Sequence, residues 1–181
     1  MIPVLIVRGK AMVLVFRKLL EPEFGRELRV LESDHAGDGV SLARSILLNR
    51  KSIVALVADA KPEEVRETHR SIVYLLISVA CADLWKITLM VPQMEVLLFL
   101  DRGVLRQVLG REPTEEELTR GRTEPRRVLE EQLGLQKWEL DEELCRRLET
   151  VDVSSLAEHP AVQQVRQFFR DHREGRSSLS L

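Results

Sequence analysis

Four short apolar runs punctuate the first hundred residues, and a stretch with helical spacing follows each. Pro3–Val7 is continuously apolar and stops at Arg8-Gly9. A run without polar alternation, β-branched in part, predicts a strand buried on both faces, as in a parallel sheet. Val13, Val15, Phe16, Leu19 and Leu20 then mark one face of a helix over 11–20. Leu28–Leu31 predicts a second strand. A polar turn, Glu32–Gly39, leads into a helix carrying Val40, Leu42, Ala43, Ile46 and Leu47, with Asp38 placed to cap its first turn. Ile53–Ala58 predicts a third strand. Pro62, at a favoured early position, opens a helix to about Ala80 with Val65, His69, Ile72, Val73, Leu76 and Ile77 on one face. Trp85–Val91 predicts a fourth strand, and Pro92 opens a further helix carrying Glu95, Val96, Leu98 and Phe99.

This alternation predicts an α/β fold of Rossmann-like type, a four-stranded, mainly parallel sheet flanked by helices and joined by right-handed crossovers. In such sheets the functional crevice lies beyond the carboxyl ends of the strands. Arg8 and Asp59 close the first and third strands, so topology alone brings them to one rim. From Leu109 the pattern changes. Gly110–Thr114 reads as a turn, Thr114 to Glu117 as a capping box, and short amphipathic helices follow over 115–120, 125–133, 140–149, 153–158 and 160–172. The expected organisation is an α/β domain at 1–108, a C-terminal all-helical appendage at 109–173 that needs the first domain for stability, and a flexible polar tail at 174–181.

Composition narrows the function classes. The chain has 181 residues, 44% hydrophobic and 31% charged, with only 4% aromatic, so the core must be aliphatic. A net charge of −2, with 13 basic and 12 acidic residues in 1–100 and 14 and 17 in 101–181, gives neither half a broad nucleic-acid footprint and leaves only a local basic patch. Cys81 and Cys145 have no Cys or His at metal spacing, which argues against a zinc site and a disulfide framework. No run approaches the ~20 apolar residues of a membrane helix, and the apolar start is too short for a signal peptide, so a cytoplasmic protein without a membrane partner is expected. There is no P-loop, no G-x-G-x-x-G and no calcium-loop spacing in Asp34–Gly39. Arg126-Arg127 and Arg146-Arg147 read most simply as solvated faces.

The two strand ends carry the chemistry. The first run ends Arg8-Gly9-Lys10-Ala-Met12, and the third ends Asp59-Ala60-Lys61. The pair resembles the two metal-binding motifs of the Toprim (topoisomerase–primase) domain, in which the first run ends in Glu-Gly and the second in Asp-x-Asp. Arg8 stands at the Glu position, Met12 at a following acid position and Lys61 at the second Asp position. Asp59 matches the first Asp. Glu95, in Pro92-Gln93-Met94-Glu95, looks like a further acid of the overcoming-lysogenization-defect branch of Toprim nucleases. The segment Gly110-Arg-Glu-Pro-Thr114 to Leu129 is similar to the helices after the core in small, free-standing relatives. Toprim chemistry is metal-assisted phosphodiester cleavage, with Mg²⁺ held by carboxylates and waters.

Charge decides what these substitutions do. Two unit charges ~4 Å apart interact by about 4 kcal/mol at an effective dielectric of 20, and a divalent ion doubles that. Exchanging Glu for Arg8 turns an attraction into a repulsion of similar size. Asp59, Glu95, Arg8 and Lys61 are therefore expected to pair into a charge-neutral network that does not bind Mg²⁺, and no cofactor is expected. Three readings follow. In the first, the chain is a Toprim-like protein with a degenerate site that binds nucleic acid or a protein without cleaving, with Arg8, Lys10 and Lys61 as phosphate-binding residues. The resemblance implies phage defence beside an ABC-type ATPase partner, with homo-oligomerisation left open. In the second, it is a working Mg²⁺-dependent nuclease with Asp59 and Glu95 as catalytic and metal residues, aided by Glu32 or Asp34. In the third, it is an α/β interaction module unrelated to Toprim.

Overall fold

The structure, a computed structural model, describes residues 1–34, 36–49 and 51–175. His35 and most of the polar tail, residues 176–181, lie outside the described residues. Four parallel strands form one sheet: β1 (Ile2–Arg8), β2 (Arg29–Ser33), β3 (Ser52–Asp59) and β4 (Trp85–Met90), in the order β2-β1-β3-β4. Helices α1 (Lys10–Phe24), α2 (Ala36–Leu48) and α3 (Val65–Ile77) link them. The fold is α/β and Rossmann-like.

The apolar runs are continuous because both faces of the sheet are covered. Val4, Ile6, Val54, Leu56 and Ala58 point to one side, where they pack with Val40, Ala43 and Leu47 of α2 and Ile72 and Leu76 of α3. Leu5, Val7, Ile53, Ala55 and Val57 point to the other, under α1. That second layer continues into a 3₁₀ segment, Met94–Phe99, and into α4 (Arg102–Leu109), α5 (Glu115–Gly121), α6 (Pro125–Leu133), α7 (Leu140–Leu148) and α8 (Pro160–Arg173). Val128, Leu129, Leu144, Leu148, Val162 and Phe169 belong to the same apolar cluster as Leu5 and Val57. The helices beyond residue 109 thus share a core with the sheet.

Two polar clamps on α1 reinforce this layer. Lys18 Nζ donates to the carbonyls of Leu148, Glu149 and Val151 at 2.6, 2.8 and 2.9 Å, closing the C-terminus of α7. A cation at a helix C-terminus satisfies carbonyls that lack intrahelical partners and suits the helix dipole. Glu23 pairs with Arg166 and Arg170 of α8.

The capping box at Thr114 is present, with Glu117 N donating to Thr114 Oγ1 and Thr114 N to the Glu117 carboxylate. Some expectations need correcting. Pro92 does not open a helix: Gln93 is extended, and the following segment is 3₁₀, starting at Met94. Helix α3 stops at Ile77, not Ala80, and buries Ile72 and Leu76, while His69 and Ile77 are exposed. Asp38 lies inside the first turn of α2 rather than at its cap.

The packing of α5 on the 3₁₀ segment depends on Gly121. A Cβ there would overlap the ring of buried Phe99. Gly121→Ala should destabilise the protein by about 1–3 kcal/mol through overpacking. Urea unfolding should show this, with part of the loss recovered when Phe99→Leu is added.

Candidate functional site

The central strands diverge in connection. The chain leaves β1 towards one edge of the sheet to form β2, and leaves β3 towards the other to form β4. The carboxyl ends of β1 and β3 therefore flank the topological switch point, where α/β sheets bind ligands. Arg8 ends β1 and Asp59 ends β3. The chain turns after Arg8 at Gly9, whose φ of 79° belongs to the region that favours glycine. A side chain there would also press on Asp141, since a Cβ would lie 3.0 Å from its Oδ1.

An ion network fills the rim. Arg8 Nη1 lies 2.7 Å from Asp59 Oδ2, and its Nη2 lies 3.4 Å from both Glu95 oxygens. Asp59 Oδ1 accepts from Met94 N at 2.8 Å, which fixes the start of the 3₁₀ segment. Glu95, only 3% exposed, also accepts from Arg126 Nη1 at 2.8 Å. Arg126, on α6, donates through Nη2 to Asp141 at 2.9 Å and to the Lys137 carbonyl at 3.3 Å, with Glu130 3.5 Å from its Nε. Two guanidinium groups thus meet four carboxylates contributed by β3, the 3₁₀ segment, α6 and α7.

Burial pushes the Asp59 carboxyl up to about 6, against the pull of Arg8 and with a further push from Glu95. At Glu32, beside this rim, loss of hydration also raises the carboxyl above its usual range, opposed by Lys10.

Of the residues singled out in the sequence, the structure brings together Arg8, Asp59 and Glu95. Lys61 does not join them: it is exposed and pairs with Glu64 one turn away, 3.0 Å distant. Its place in the expected network is taken by Arg126, because α6 packs over the 3₁₀ segment and turns Arg126 inward while Arg127 stays exposed. Arg147 departs from the solvated reading in the same way, donating to the Val108 carbonyl at 2.7 Å. Lys10, the first residue of α1, is exposed, and Met12 is buried in the core. Glu95 is buried. The signal for Arg126 was its helical phase: it precedes buried Leu129 by three residues and Glu130 by four, at the edge of the apolar face.

Chemically the site is closed on itself. Both oxygens of Asp59 and both of Glu95 face protein donors or cations, so a metal or a phosphate here would have to displace an existing partner. Among the described residues no group of three or more His, Cys, Asp or Glu is arranged to hold a metal ion. Two clefts flank the network. One, of about 510 Å³, has Arg8, Arg126 and Lys137 facing Glu32, Asp34 and Asp141. The other, of about 440 Å³, has Lys61, Arg126, Arg127 and Lys137 facing only Glu124 and Glu130. Among the described residues no helix is long and apolar enough to cross a membrane. No protein-family model matches the chain, and no curated protein or solved structure matches it significantly.

The network makes two predictions. Arg126→Ala leaves buried Glu95 with half its compensation and should cost roughly 3–5 kcal/mol of unfolding free energy, as for one partner of a buried ion pair. For Asp59 the sign follows from its raised value. The folded state holds this proton more tightly than the unfolded chain, so Asp59 costs stability as pH rises from about 4 to about 6. The stability of the wild type relative to Asp59→Asn should therefore fall across that window, by no more than about 3 kcal/mol, and level off above it. Paired urea titrations from pH 4 to 8 read this difference directly.

Proposed function

We propose that this chain is a Toprim-like binding protein whose strand-end site no longer cleaves, and that its ligand is nucleic acid held by side-chain cations instead of Mg²⁺. The observation that carries the reading is the Arg8 guanidinium lying across Asp59 and Glu95, where the resembled family places a metal-binding carboxylate. A fixed guanidinium in that place neutralises the two carboxylates but has neither the polarising power of a divalent ion nor its ability to activate water. Binding can persist while catalysis is lost. The preponderance of cations in one flanking cleft supports a phosphate-bearing ligand. A role beside an ABC-type ATPase in phage defence is the cellular setting that the resemblance favours, with the protein acting in the cytoplasm. The alternative, a Mg²⁺-dependent nuclease using Asp59 and Glu95, requires Arg8 to leave both carboxylates.

Calorimetry with Mg²⁺ separates the two. The wild type should show no sub-millimolar binding and no Mg²⁺-dependent cleavage of single- or double-stranded DNA. Arg8→Glu replaces the blocking cation with a third carboxylate and should tighten Mg²⁺ binding at least about tenfold, since it reverses an interaction of several kcal/mol. Wild-type Mg²⁺ binding that disappears in Asp59→Ala would overturn the reading.

A further inference from the structure

Resting on the nucleic-acid reading above, we infer that the ligand is single-stranded, with one unpaired base stacking on Trp138 and its backbone phosphate held by Lys137 and Arg127. Trp138 sits in the turn between α6 and α7 and is 80% exposed, the most exposed large hydrophobic side chain among the described residues. An indole left in water gains nothing from folding, whereas a base offers it a π-face worth burying. The turn is held rigid. Glu139 N donates to the Gln136 carbonyl at 2.9 Å, and Gln136 N donates back to the Glu139 carboxylate at 2.7 Å. A turn whose backbone is already tied loses little further backbone freedom when a ligand stacks on its side chain.

The neighbouring charges select a polyanion. Lys137, one residue or ~3.8 Å of chain from Trp138, lines both clefts and makes no ion pair among the described residues. Its carbonyl accepts from Arg126, so its backbone is tied to the buried network while its amine stays available. The cleft at the strand ends matches its cations with carboxylates, whereas in the one over α6 Lys137 is unpaired among the described residues and Lys61 and Arg127 make only exposed ion pairs, with Glu64 and with Glu131 and Glu124, which a phosphate can displace at little cost. Phosphate binding therefore moves from the closed strand-end network to the cleft beside it. The chain neighbours of Trp138, Gln136, Lys137 and Glu139, are polar, which suits a charged polymer better than an apolar protein surface. Stacking needs a base free of its neighbours, which a duplex supplies only at an end.

The test uses the full chain carrying Trp85→Phe, which leaves Trp138 as the single tryptophan of the original two. Titration with a twelve-residue oligothymidylate should quench its fluorescence. In anisotropy assays with the labelled oligonucleotide, Trp138→Ala should weaken binding roughly tenfold or more, the scale of one base–aromatic stack, while Trp138→Phe should retain most of the affinity. Lys137→Ala should lower the slope of log K against log salt by about 0.7, one single-strand phosphate contact. Strand binding with Trp138 unquenched and Trp138→Ala unaffected overturns this inference and leaves nucleic-acid binding standing. Preference for a blunt duplex over the single strand does the same. Failure to bind either form at low salt overturns the nucleic-acid reading itself.

Discussion

Glu95 is a carboxylate in an apolar layer, and much of the upper rim is organised to keep it compensated. An ion of this kind left unpaired carries a desolvation cost of several kcal/mol. Two arginines meet it from distant parts of the chain, Arg8 from the end of β1 and Arg126 from α6. Arg8 reaches Glu95 only when the 3₁₀ segment lies over the ends of β1 and β3, and Arg126 only when α6 is docked on that segment. The pairing therefore converts a local electrostatic need into a constraint on tertiary assembly. Asp59 adds a second tie by accepting from Met94 N, which sets where the 3₁₀ segment begins and so where Glu95 points.

The apolar layer supplies the attraction that this network directs. Leu5, Val7, Ile53, Ala55 and Val57 offer one face of the sheet, and α1, α4, α6, α7 and α8 cover it. Hydrophobic burial is non-directional and fixes no register by itself. Register comes from polar contacts that tolerate few geometries: the Lys18 ammonium on three carbonyls, the Glu23 carboxylate between arginines of α8, and the fork of Arg126. These contacts also separate two roles at the rim. The strand-end groups are consumed internally, whereas Lys61, Arg127 and Lys137, at the cleft over α6, make at most exposed ion pairs among the described residues.

What the sequence revealed follows from short-range rules. Continuous apolar runs at Pro3–Val7 and Ile53–Ala58 indicated strands buried on both sides, because no polar alternation was needed on a solvent face that does not exist. Thr114 and Glu117 marked a helix start because a capping box is complete within four residues. Arg8 and Asp59 were legible as neighbours because parallel strands linked by crossovers must place their carboxyl ends on one rim. Arg126 was not legible as a site residue. Its helical phase puts it at the edge of the apolar face of α6, but which carboxylate it meets is decided only when α6 is laid against Met94–Phe99. Lys61 failed the opposite way: two residues from Asp59 in the chain, it follows a strand whose direction ends there, and Glu64 within one turn is its nearest partner.

The chain's own pattern thus determined the fold class, the strand positions and the placing of Arg8 and Asp59 at strand ends, since each depends on residues a few positions apart. Only the tertiary structure decided which cations answer Glu95, which carboxylates are spent and which cleft remains basic. Those outcomes hinge on the distance between groups up to 87 positions apart in sequence. Electrostatic compensation acts over a few ångströms of space, and no local pattern encodes that separation.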